Sequence, residues 1–196
     1  MAYELHSSVF VARRERGFTL VELMAVVVII GVLSMLAVLG YRKIVTSSHV
    51  TEATSMVNNI RVAQEAYHAE TQMYAPCMGA SDLTKASSWY PAASQYGVLV
   101  PWGGSCTGIC QSGYDISQIL PVHVDGPLLF GYQTVAGPAA ATATSVTNNC
   151  NATLTSGTTD YYAIAAEADL DGNSSTHTDV CATSWSNQLV VWNEGL

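Results

Sequence analysis

The apolar positions of this chain fall into two regimes that meet near residue 41. From Phe18 to Tyr41 nearly every residue is apolar, and Glu22 is the one charge among those 24 positions. A bilayer's hydrocarbon core takes about 20 apolar residues as helix, so the run is long enough to span one. Beyond Tyr41 the pattern thins to a stripe. Val50, Ala53, Met56, Val57, Ile60, Ala63, Tyr67 and Tyr74 recur at steps of mostly three and four. Glu52, Asn58, Asn59, Arg61, Glu65 and Glu70 fill the other faces, which is the signature of an amphipathic helix. No proline occurs before Pro76. The pattern therefore predicts one helix from about Thr19 to about Met73, roughly 80 Å long at 1.5 Å per residue.

From Pro76 the chain turns to Gly, Ser, Thr, Asn and aromatic residues. Segments near Gly97–Val100, Leu128–Val135, Tyr161–Ala168 and Gln188–Trp192 read as short strands. Gly126-Pro127 and Gly137-Pro138 mark turns, and the polar stretch 139–157 reads as a loop. The expected fold class is α+β: a long N-terminal helix packed on a small antiparallel sheet. The expected divisions are a leader at 1–17, the apolar half-helix at 18–41, the amphipathic half at 42–75 and a β-rich globular domain at 76–196.

Charge sharpens this division. The net charge is −8, with 7 Lys and Arg against 15 Asp and Glu. Arg13, Arg14 and Arg16 lie just before the apolar run, which orients the N-terminus to the cytoplasm. The acidic remainder argues against a direct nucleic-acid site or a basic lipid-binding patch. A cleaved secretory signal has an apolar region of about 7–15 residues and a small-x-small site after it. Here the run is longer and no such site follows Tyr41, although a plain signal anchor stays open.

All five cysteines, Cys77, Cys106, Cys110, Cys150 and Cys181, follow the apolar run. If the run crosses a membrane they share one compartment, and pairing is their expected use there. Cys150–Cys181 and Cys106–Cys110 are the candidate bonds, leaving Cys77 over. The alternative pairs Cys77 with Cys106 or Cys110. Asp169-Leu-Asp171-Gly172 has carboxylate spacing suited to two oxygen ligands of a calcium ion. The bidentate Glu of an EF-hand loop is missing, and Asp171-Gly172 equally suits a turn between strands. Asn151-Ala-Thr153 and Asn173-Ser-Ser175 fit a glycosylation sequon. No spacing suggests a catalytic grouping of Ser, His and Asp or of Cys and His, so no enzyme is expected.

Arg16-Gly17-Phe18-Thr19-Leu20-Val21-Glu22, followed by the apolar run to about Tyr41, resembles the N-terminus of a type IV pilin or pseudopilin precursor. The resemblance implies that a prepilin peptidase cuts after Gly17 and that the new amino terminus, Phe18, is methylated. It implies that Glu22 docks each subunit into a growing fibre. Self-assembly into a helical filament, with an inner-membrane assembly platform as partner, would follow. The precursor would sit in a bacterial inner membrane and the product in a pilus, at the cell surface or in a periplasmic filament. A type II secretion pseudopilin or a minor pilin is the nearest alternative. A membrane-anchored binding domain that never polymerises is the alternative from another class. Removing the leader takes away Glu4, Glu15, Arg13, Arg14 and Arg16, which moves the net charge from −8 to −9. One departure stands out: Leu39, followed by Gly40, occupies the place where many pilins carry a helix-loosening proline. Thr19-x-x-Glu22 is also the pattern of a capping box, in which each side chain satisfies a first-turn N–H.

Overall fold

In the computed structural model, described for residues 17–75, 89–91, 97–102, 116–139, 159–172 and 176–194, the two-regime pattern becomes one helix. Helix α1 runs Leu20–Thr71 without interruption through Leu39 and Gly40. It ends where Gln72 adopts φ 60° and donates its N–H to the carbonyl of His68 at 2.8 Å. A left-handed residue just past the last turn is a standard helix stop, here without the usual glycine. The chain divides into two compact units, residues 1–41 and 42–196.

In the first unit every described residue is exposed, from Phe18 at 88% to Tyr41 at 70%. Helix α1 is long and apolar enough to cross a membrane.

In the second unit the stripe of α1 is buried at Val50, Ala53, Met56, Val57, Ile60 and Ala63. After α1 come β1 (Val100–Pro101), the short α2 (Ile116–Ile119), β2 (Pro127–Leu128), β3 (Gly131–Gly137), β4 (Tyr161–Ala168), β5 (Thr178–Thr183) and β6 (Ser186–Trp192). Strands β3 to β6 form an antiparallel sheet in sequence order, while β1 and β2 pair apart from it. Tyr132, Ala166, Val180 and Val191 line up across the four strands. That row belongs to the core that holds the α1 stripe. The opposite face buries Val135, Ala163, Ala165 and Cys181 with Trp89. A sheet covered on both faces needs no alternation of apolar and polar residues. This explains β5, all six of whose residues are buried and which the sequence pattern does not announce. Its Thr-Asp-Val-Cys-Ala-Thr has too little apolar character to read as a continuous core strand.

One polar residue is embedded in the stripe. Gln64 is fully buried. Its Nε2 donates to the Ala75 carbonyl at 3.0 Å and lies 3.2 Å from Thr134 Oγ1, and its Oε1 accepts the Ala75 N–H at 2.9 Å. The amide thus ties the chain leaving α1 back onto the helix and to β3. Buried polar groups are tolerated when satisfied in this way.

Candidate functional site

The motif residues lie where helix α1 begins. Thr19 caps the helix: its carbonyl accepts the Leu23 N–H at 3.2 Å, and its Oγ1 accepts the Glu22 N–H at 3.2 Å. Glu22 Oε2 accepts both the Thr19 N–H and the Thr19 hydroxyl at 2.9 Å. The capping box read from the sequence is therefore formed. Gly17, Phe18 and Thr19 lie outside the helix and are exposed. Glu22 is the one charge on the apolar half of α1, and its carboxylate is held by its own first turn.

The other predicted residues lie in the second unit. Asp169 and Asp171 occupy the turn between β4 and β5. Asp169 Oδ1 accepts the Gly172 N–H at 2.7 Å, and Gly172 takes φ 76°, a conformation that suits glycine. Asp171 Oδ2 accepts the Thr176 hydroxyl at 3.0 Å. A Cβ added at Gly97, itself at φ 72°, would strike the carbonyl oxygen of Asp169, so the segment before β1 rests on this turn. Each carboxylate thus makes a hydrogen bond within the turn. Among the described residues no group of three or more His, Cys, Asp or Glu is arranged to hold a metal ion.

Cys181, on β5, is disulfide-bonded. Cys77, Cys106, Cys110 and Cys150 lie outside the described residues, as do both sequons.

One feature of this end of the sheet went unread in the sequence. Glu167 and Asp179 stand opposite each other in the β4–β5 register. His177 Nδ1 lies 2.8 Å from Glu167 Oε1. Burial pushes the Glu167 carboxyl up to about 7, Asp179 adds to the shift, and His177 opposes it. Like charges directly opposite on a sheet are destabilising, so a raised carboxyl pKa is the physical response. Only a strand assignment for β5 would have placed the two acids together.

Comparison with known proteins singles out the first of these places. Residues 12–38 match the prokaryotic N-terminal methylation motif. The chain is 39% identical over 61 residues to the type IV major pilin protein PilA of Myxococcus xanthus, a stretch covering 31% of this chain and 28% of that protein. It is 42% identical over 53 residues to a fimbrial protein of Pseudomonas aeruginosa, covering 27% and 34% of the two chains. A probable minor fimbrial protein of Dichelobacter nodosus matches at 43% over 53 residues, covering 27% and 33%. These matches span about a third or less of the relatives' own length. No solved structure matches the chain. The long helix with its antiparallel sheet defines a pilin-like α+β class, and the N-terminal matches support the type IV pilin family. That family consists of structural subunits.

Proposed function

We infer that this chain is a filament subunit, processed by a prepilin peptidase after Gly17, methylated at Phe18, and polymerised through the apolar half of α1. The observation that carries the reading is the exposed surface of residues 18–41. Large apolar side chains surround that half of the helix, including Leu23 at 61%, Ile30 at 56% and Leu36 at 62% exposure. Water cannot be their resting environment, since each such side chain gains about 1.5–3 kcal/mol on full burial. Lipid serves the precursor, and sister helices serve the assembled form. The membrane holds the chain until assembly withdraws it through an inner-membrane platform.

Glu22 gives the assembly its register. In the precursor Phe18 is inside a peptide bond and offers no charge. Cleavage creates an ammonium there, and an incoming subunit can present it to the Glu22 of a neighbour. The capping box would then open in exchange for an ion pair between subunits. Cys181 is assigned to Cys150, tying the chain between β3 and β4 to β5. Peptide mapping without reduction that joins Cys181 to Cys77 would redraw that assignment.

The test is the mass of the chain recovered from cells with a working prepilin peptidase. It should begin at Phe18 and carry one added methyl group. Recovery of the intact 196-residue chain alone would sink the reading.

A further inference from the structure

We propose that a cleft beside the end of α1 receives the Arg42–Lys43 pair of a second copy, one farther along the fibre than the neighbour that meets Glu22. The proposal rests on the filament reading and names a contact within it. The cleft has a volume of about 180 Å³ and is lined by Tyr67, Met73, Tyr74, Ala136, Gly137, Pro138 and Asp160. An engineered cavity of about 150 Å³ holds a benzene-sized group, so this one has room for a long side chain. Its walls are apolar and aromatic, and Asp160 is the one charged residue among those lining it. Asp160 Oδ1 accepts the Ala139 N–H at 2.8 Å, and among the described residues no hydrogen bond occupies its other oxygen. Tyr74 directs its hydroxyl at both oxygens of Glu65, 3.4 Å away. Burial, with Glu65 and Asp160 adding to it, raises the Tyr74 phenol to about 12, which keeps the ring neutral beside two carboxylates. The nearest guanidinium, Arg61, donates to Asn187 at 3.2 Å and flanks Tyr162.

Such a lining suits a lysine or arginine. The methylene stem lies along apolar walls while the cationic head reaches a carboxylate and an aromatic face. The chain carries suitable cations at Arg42 and Lys43, both exposed. None of the ion pairs among the described residues uses them. They cannot reach the cleft of their own chain. Lys43 precedes Glu65 by 22 residues of one helix, roughly 33 Å at 1.5 Å per residue. A copy displaced along a parallel α1 by about that length brings the two together. In an otherwise acidic subunit this contact joins unlike charges across the fibre.

Carbodiimide treatment of intact sheared fibres, followed by peptide mass spectrometry, tests the contact. The expected product is a cross-link between Lys43 and Asp160 or Glu65, found only in the dimer band. Lys43→Glu with Arg42→Glu should lower fibre yield roughly tenfold or more while leaving the globular unit folded. Asp160→Lys in the same chain should restore part of the yield. Fibres that form normally from the doubly reversed chain, or that give dimers without a Lys43 cross-link, overturn the contact and leave polymerisation standing. Native chains that build no fibre at all overturn both.

Discussion

The two halves of α1 are the same kind of element with opposite burial. Residues 20–41 bury nothing within the chain, whereas residues 42–71 bury seven side chains, including an amide. The upper half has a partner supplied by its own sequence, in the sheet. Residues 20–41 have no such partner among the described residues, and on the reading proposed above lipid or other copies would supply it. A substitution in one half should therefore read out in assembly and in the other half in folding.

The sharpest break in that comparison is expected at Glu22. Glu22→Ala should be exported, cut after Gly17 and fully folded, yet yield few or no sheared fibres by electron microscopy. Glu22→Asp, one methylene short, should be intermediate. Normal fibres from Glu22→Ala would mean that the carboxylate serves the capping box alone.

The reverse result is expected in the second half. Ile60 is fully buried against the sheet, and Ile60→Ala should cost about 2–5 kcal/mol. Gln64→Leu keeps the volume but strands the N–H and carbonyl of Ala75, at about 1–3 kcal/mol for each group left unpaired. Both losses should appear in urea melts of the fragment that starts near Thr46. Ile30→Ala in the full chain should leave the thermal stability of the globular unit unchanged. A fall there would mean that the halves are not independent.

A smaller effect separates the ends of the sheet by pH. The folded Glu167 carboxyl is raised from 4.5 to about 7. The folded state therefore holds that proton more tightly than the unfolded chain does. Its contribution to stability is complete below about 4.5 and is lost as pH rises through about 7. Thermal midpoints should be lower at pH 8 than at pH 5.5, and Glu167→Gln should flatten that slope. An identical slope in the variant would assign the titration to another group.

The smallest effect is expected from calcium. Asp169 and Asp171 already accept turn hydrogen bonds, so a chelator should leave the melting temperature unchanged. A chelator-dependent drop that Asp171→Ala abolishes would restore the cation.

What the sequence revealed follows from range. The helix was legible because its periodicity is local and strong, and Glu22 because one charge in an apolar run is conspicuous. Strands β3, β4 and β6 carried enough β-branched and aromatic residues to be seen. Strand β5 did not, because burial on both faces removes the alternation that marks a strand. Gln64 was illegible for a related reason. A polar residue on an apolar stripe looks like a flaw until its partners, 11 and 70 residues away, are known. The Glu167–Asp179 pair depended on a register that only the folded sheet supplies.

The helix cap at Thr19 bears on how the proposed cleavage after Gly17 would proceed. Proteases grip their substrates as extended backbone, and a peptide bond wound into a helix has first to be unwound. Here the helix starts at Leu20, two residues past Phe18, and Thr19 with Glu22 closes its first turn. The Gly17–Phe18 bond is thereby left outside the helical ladder. The cap acts as punctuation: it sets where the rigid rod ends and, on the proposed processing, where a blade would have purchase. A residue that lengthened the helix backward by one turn would hide the bond without changing either amino acid that forms it.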